Sequence, residues 1–287
     1  MTAYIIWNPK KDIFSFFDFH IAWYSIFFLL GFLTGYIIFL NLLKRYFLEK
    51  ENFDIKKRSV FIADKLTQYV VIATIIGARL GHIFLYESPK LYLKNPIVIL
   101  KVWEGGLASH GGAIAIMFAI YLLSKKIRKV TNISFLKLLD FIAVPTALAG
   151  AFIRIGNFFN QEVLGKITDH PFGIIFLSPL DNSSIAPRHP VMLYESFSYL
   201  LTFFILFYLS YKKFFLLKEG KLIGLFFIFI FSSRFILEFF KLNQSFLIND
   251  FSYLLMGQIL SIPFILIGFM LLYIDKIKSF FLKTKRN

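Results

Sequence analysis

Runs of about 20 apolar residues alternate with shorter polar segments along the whole chain, and about 20 residues is the length a helix needs to cross the hydrocarbon core of a bilayer. Seven such runs are centred on Ile21 to Leu43, Tyr69 to Tyr86, Leu107 to Leu123, Leu138 to Phe158, Val191 to Tyr211, Leu222 to Phe240 and Leu255 to Ile274. Gly and Arg interrupt the second and fourth. The pattern predicts an all-α integral membrane protein of about seven transmembrane helices, organised as a single polytopic domain over residues 1–287. Between the fourth and fifth runs, Asn160 to Pro190 is rich in Asp, Ser, Pro and Gly and too long for a tight turn, which predicts a small lobe outside the membrane.

Composition agrees. Hydrophobic residues make up 57% of the 287, above the range of roughly 45–50% usual for soluble domains. The net charge of +15 would point to nucleic acid in a soluble protein, but here position decides its meaning. Basic residues cluster after the first, third and fifth runs (Lys44 to Lys65, Lys125 to Lys137, Lys212 to Lys221) and at the C-terminal end (Lys276 to Arg286). By the positive-inside rule these segments face the cytoplasm. The N-terminus is then outside, residues 160–190 form an external, periplasmic segment, and the basic loops meet anionic membrane lipids rather than nucleic acid. The first 20 residues lack a basic region followed by a short apolar core and cleavage site, so the first run is expected to act as its own insertion signal. The chain has no cysteine, which excludes disulfides, thiolate metal sites and a cysteine nucleophile of its own. Any thiol in its chemistry belongs to a substrate.

With this orientation the unusual polar residues fall in the outer halves of the spans. Arg79, Arg154 and Arg234 lie near the outer ends of the second, fourth and sixth, and Tyr24, His110, Tyr194 and Glu195 near the outer starts of the first, third and fifth. Each arginine within a bilayer costs at least a few kcal/mol unless it is paired or faces the interior of the bundle. Glu238 follows Arg234 by one turn and is placed to neutralise it, while His82 and Tyr86 share a face with Arg79. Internal pairing that fixes helix packing explains any one arginine. Three at similar depth, with His110, Asn157 and Asn160, favour a binding site. A guanidinium offers a planar fork of donors suited to phosphate, and the phosphate available at that depth is a phospholipid headgroup.

Glycines 105, 106, 111 and 112 flank His110. They suit either a tight helix crossing or close approach of backbone to substrate, and the histidine is either a packing residue or a proton acceptor. Tyr194 and Glu195 follow Pro190 at the start of the fifth run, where an interfacial tyrosine and a capping glutamate compete with a site role.

These stretches together resemble bacterial prolipoprotein diacylglyceryl transferases. The resemblance rests on Trp23 and Tyr24, GARLGHIFLYE (77–87), VWEGGLASHGG (102–112), RIGNFFNQEVLG (154–165), RHPVMLYE (188–195) and SRFILEFF (233–240). The fourth stretch is the most specific, and it departs from the family pattern in having Ile153, not Gly, before Arg154. The resemblance implies a seven-span, N-out enzyme of the bacterial inner (cytoplasmic) membrane with its site toward the outer leaflet. It implies transfer of the diacylglyceryl group of phosphatidylglycerol to the lipobox cysteine in the signal peptide of a prolipoprotein, forming a thioether and releasing glycerol phosphate. It assigns importance to His110, Arg154, Asn157 and Arg234.

On this reading Arg154 and Arg234 hold the phosphate and His110 is the candidate base. Asn157, Asn160 and Glu162 orient headgroup hydroxyls; Tyr24, Arg79 and Glu238 form a supporting layer, with Tyr194 also at the substrate. No cofactor or metal is required. The alternative is a transporter or flippase of anionic lipids, against which stand the almost purely apolar inner halves of the spans.

Overall fold

The computed structural model describes residues 4–17, 19–50, 54–86, 96–101, 106, 108–242 and 254–284. Parts of two sequence motifs, Glu87 and Val102 to Gly105 with Leu107, lie outside the described residues, as does the side chain of Tyr86. Among the described residues, seven helices are long and apolar enough to cross a membrane. They are α1 (Trp23–Glu49), α2 (Ile55–Tyr86), α3 (Ser109–Thr131), α4 (Phe135–Asn160), α5 (Val191–Ser210), α7 (Lys221–Leu237) and α8 (Met256–Thr284), with a short α6 (Lys213–Leu217) between α5 and α7. Each matches a predicted run. The largest difference is at α2, which starts at Ile55 rather than Tyr69. Its first turns carry Lys56, Lys57, Arg58, Asp64 and Lys65, so the helix continues into a charged segment that hydropathy alone does not count as span.

The described residues form two compact units, one of residues 1–39 and 139–287, the other of residues 40–138. In the second unit α2 and α3 cross at glycines. A β-carbon on Gly81 would lie 2.6 Å from the α-carbon of Gly111, and the amide of Ala108 bonds the carbonyl of Ala78 at 2.8 Å. Small residues let two backbones approach this closely in lipid, where dispersion contacts replace the hydrophobic effect as the driving force. Gly111 and Gly112, which flank His110, therefore serve the crossing: a β-carbon on Gly112 would pack against Ala78.

In the first unit Gly31 of α1 packs on Ala149 of α4, where an added β-carbon would sit 3.2 Å from the Ala149 α-carbon. Fully buried Asp140 of α4 accepts the amides of Gly220 (2.8 Å) and Ile223 (2.9 Å), satisfying donors that the start of α7 would otherwise leave unpaired. The lobe predicted at residues 160–190 contains β4 (Ile174–Phe176) and β5 (Pro187–Arg188). These strands pair antiparallel, and β1 (Ile5–Trp7) adds to β4 in parallel, with Ile5 opposite Ile174. A separate hairpin joins β2 (Asp12–Phe16) to β3 (Phe19–Ala22). Trp7 anchors the three-stranded sheet, stacking on Phe158 at 4.3 Å and donating its indole N–H to the Phe158 carbonyl at 3.0 Å. Phe158, Leu164, Ile174, Phe176 and Met192 form the small core beneath.

Candidate functional site

The end of α4 builds the centre of the site in the first unit. Arg154 and Asn157 stand one turn apart on the same face, and Arg154 Nη1 donates to Asn157 Oδ1 at 3.1 Å. The helix then ends abruptly. Gln161 and Val163 both adopt positive φ, 51° and 60°, an unusual conformation for a β-branched residue that is found mostly where function or surrounding structure enforces it. The Gln161 side chain secures the turn by accepting the Ser178 amide at 2.8 Å. The turn folds Glu162 back, its amide on the Asn157 carbonyl (3.1 Å) and its carboxylate accepting from Asn157 Nδ2 (2.7 Å) and Asn160 Nδ2 (3.3 Å). A carboxylate at a helix C-terminus opposes the helix dipole, so these amide donors are what hold it there.

Opposite Arg154 stands Glu195, in α5 and fully buried. Ser196 Oγ bonds the Ala151 carbonyl at 3.0 Å and brings this part of α5 against α4. Arg154 Nε then meets Glu195 Oε2 at 2.8 Å, while Glu195 Oε1 meets Lys241 Nζ at 2.8 Å. Lys241 also pairs with Glu238 Oε2 at 3.3 Å. The result is an unbroken chain Arg154, Glu195, Lys241, Glu238 in which each buried charge faces an opposite one. Bilayer burial demands such pairing. Tyr199, one turn after Glu195 and 5% exposed, lies in the field of both Arg154 and Arg234. Tyr24, the second residue of α1, lies in the field of Glu162 and Arg154, its ring against Gly156, where a β-carbon would come within 2.8 Å of Tyr24 Cδ2.

Of the predicted site residues, Tyr24, Arg154, Asn157, Asn160, Glu162, Arg234 and Glu238 thus belong to one end of the first unit. Glu238 differs in its partner: it pairs with Lys241, and its carboxylate is so close to α8 that a β-carbon on Gly257 would fall onto it. Tyr194 points elsewhere, bonding His189 Nδ1 through its hydroxyl at 3.3 Å and lining an apolar groove of about 400 Å³ between α5 and α7 with Phe197, Ser233 and Ile236. His189 lies outside the spans, where partial burial and, secondarily, the neighbouring His170 hold its imidazole below the usual value. Arg79 and His110 belong to the second unit. Arg79 is 6% exposed and donates to the carbonyls of Ile99 (3.0 Å) and Gly106 (3.2 Å), fastening the segment between α2 and α3. His110 is exposed in the first turn of α3.

From the sequence, Glu195 stood open between a helix-start cap and a site role, and Lys241 and Tyr199 were not singled out. A usable signal was present: Glu195 lies in an apolar run, where an ionised carboxylate requires a cation, and Tyr199 is one turn further on its face.

Seven membrane-length helices, with two arginines and paired carboxylates gathered where α4, α5 and α7 meet at one end of a unit, define a multi-pass membrane protein with a cluster of buried charges at the edge of its spans. Comparison with known sequences narrows this class. The sequence profile of prolipoprotein diacylglyceryl transferases matches residues 11–274. A phosphatidylglycerol–prolipoprotein diacylglyceryl transferase of Tolumonas auensis is 40% identical over 271 residues, covering 94% of this chain and 97% of its own. One of Chloroherpeton thalassium is 40% identical over 272 residues, covering 95% and 94%. A third, of Protochlamydia amoebophila, is 50% identical over 220 residues, 76% of this chain but 58% of the longer relative. The chain belongs to the prolipoprotein diacylglyceryl transferase family.

Proposed function

We propose that the chain transfers the diacylglyceryl group of phosphatidylglycerol to the lipobox cysteine of prolipoproteins, from the outer leaflet of the bacterial cytoplasmic membrane. The observation that carries the site assignment is Arg154, a guanidinium held at the end of α4 by Glu195 and Asn157, with Arg234 acting on the same tyrosine. The substrate thiol attacks the glycerol carbon that bears the phosphate ester. A carbon–sulfur bond forms, the carbon–oxygen bond breaks, and its electron pair leaves on glycerol phosphate. Arg154 and Arg234 stabilise that developing charge from fixed positions, which avoids reorganisation during the reaction. A thiol with a pKa of about 8.5 reacts as its thiolate, which the same cationic field favours.

His110 is the proposed acceptor of the thiol proton, on its chemistry as an imidazole. Asn157, Asn160 and Glu162 form a hydrogen-bonded group suited to the hydroxyls of a glycerol headgroup. Tyr24 and Glu238 support this layer, Arg79 holds the segment before α3, and Tyr194 borders the apolar groove between α5 and α7. The N-terminus faces the periplasm, and the basic loops on the opposite side contact anionic lipids. Purified protein in phosphatidylglycerol vesicles is expected to add a diacylglyceryl mass to a lipobox peptide and none to its cysteine-to-serine counterpart. An unmodified cysteine peptide, with protein folded and lipid intact, would refute the assignment and favour lipid transport.

A further inference from the structure

Lys241 lies just beyond the last turn of the sixth span, yet its side chain is only 9% exposed and its ammonium reaches into the centre of the site. Its backbone is fixed on both sides. Lys166 donates to the Phe240 carbonyl at 2.8 Å, Leu242 donates to the Leu164 carbonyl at 3.2 Å, and Lys241 forms a bridge with Gly165. The segment that follows Glu162 thus holds Lys241 in register. From there Nζ occupies Glu195 Oε1 at 2.8 Å, leaving Oε2 for Arg154 Nε at the same distance.

The two oxygens of Glu195 are therefore divided between two cations. A carboxylate facing a guanidinium alone prefers the two-pronged arrangement, in which both oxygens each take an N–H. With Lys241 on Oε1, Glu195 meets Arg154 through Nε alone and takes none of its terminal nitrogens, of which Nη1 also donates to Asn157. We propose that Lys241 is a positioning residue for Arg154: by occupying one oxygen of Glu195 it keeps the terminal N–H groups of Arg154 that are not on Asn157 available to the phosphate of the lipid. The idea rests on the phosphate role of Arg154 given above, and it adds a residue that touches neither phosphate nor thiol.

Removing the ammonium in Lys241→Met frees Glu195 to take a second nitrogen of Arg154, weakening phosphate binding in both ground and transition states. The measurement is kcat and KM for phosphatidylglycerol in wild type, Lys241→Met, Glu195→Gln and the double variant, with Arg154→Ala as reference. Lys241→Met is expected to lower kcat/KM roughly tenfold, chiefly through KM, and to cost less than about threefold in the Glu195→Gln background, because the competing carboxylate is gone. Equal factors in the two backgrounds, or wild-type kinetics in Lys241→Met, would overturn the proposal. Product inhibition by glycerol phosphate gives a second reading that needs only the single variant: its inhibition constant is expected to rise about tenfold in Lys241→Met, and an unchanged constant contradicts the idea. An inactive Arg154→Ala beside a silent Lys241→Met sinks this inference alone, whereas an active Arg154→Ala sinks the phosphate role and this inference with it.

Discussion

Replacing Arg154 by lysine keeps the charge and removes the fork, which separates geometry from electrostatics. Arg154 divides its nitrogens: Nε on Glu195 at 2.8 Å and Nη1 on Asn157 at 3.1 Å. An ammonium on a flexible stem brings its three donors from a single point. If it reaches Glu195, it leaves Asn157 Oδ1 without its donor and has no planar edge to offer a phosphate. Hydrogen bonds to a charged group each contribute about 1.5–3 kcal/mol, and loss of one preorganised donor to a developing anion lowers turnover on the order of 100- to 1,000-fold. Arg154→Lys should therefore reduce kcat/KM for diacylglyceryl transfer by about a hundredfold, equivalent to about 2.7 kcal/mol of transition-state stabilisation. The assay follows mass gain of a lipobox peptide in phosphatidylglycerol vesicles, with thermal melting in detergent to establish that the variant is folded. A folded Arg154→Lys protein working at the wild-type rate would refute the reasoning, since charge alone would then suffice.

Other expectations follow from particular contacts. Gly257→Ala places a methyl group on the Glu238 carboxylate, so it should break the 3.3 Å pair with Lys241 and lower the melting temperature, with overpacking costing about 1–3 kcal/mol; an unshifted melt would show that Glu238 moves aside freely. Asp140→Ala orphans the buried amides of Gly220 and Ile223 and should cost about 2–3 kcal/mol in unfolding titrations while leaving KM for lipid unchanged; a wild-type titration curve would contradict the capping role. The imidazole of His189 sits below its unfolded value, so the stabilisation is fully present above about pH 6.5, the ordinary imidazole value, and is lost as pH falls through the lower folded value. The melting temperature should fall less on acidification in His189→Gln than in wild type, and parallel pH profiles would count against it. Gly111→Ala forces α2 and α3 apart, because its β-carbon would meet the Gly81 backbone at 2.6 Å; it should destabilise the α2–α3 unit in hydrogen exchange, and unchanged protection would disprove a tight crossing.

The spans were legible because burial in lipid requires long apolar runs, and each of the seven appears as a helix. Their ends were less legible. The charged start of α2 at Lys56 to Lys65 stays helical without being apolar, so hydropathy stops short of it. Arg154, Asn157 and Glu162 stood out because polar groups at a span edge are costly, and sequence proximity keeps them together. Two further partners were hidden by distance along the chain: Glu195 comes from α5 and Lys241 from beyond α7, and nothing local marks that one carboxylate serves two cations. The turn that aims Glu162 was equally silent, since Gln161 and Val163 hold positive φ without the glycine that normally announces it. Strands of two to five residues in the N-terminal segment and between α4 and α5 carry too little alternation to read.

The central claim is that this chain expels a phosphate ester from phosphatidylglycerol as a thiol attacks, with Arg154 holding the leaving anion. Counting glycerol phosphate released against thioether formed on the peptide, in wild type and in Arg154→Ala, tests it most directly. One glycerol phosphate per thioether is expected in wild type and neither product in the folded variant. Thioether without glycerol phosphate, or undiminished release of both by Arg154→Ala, would contradict it.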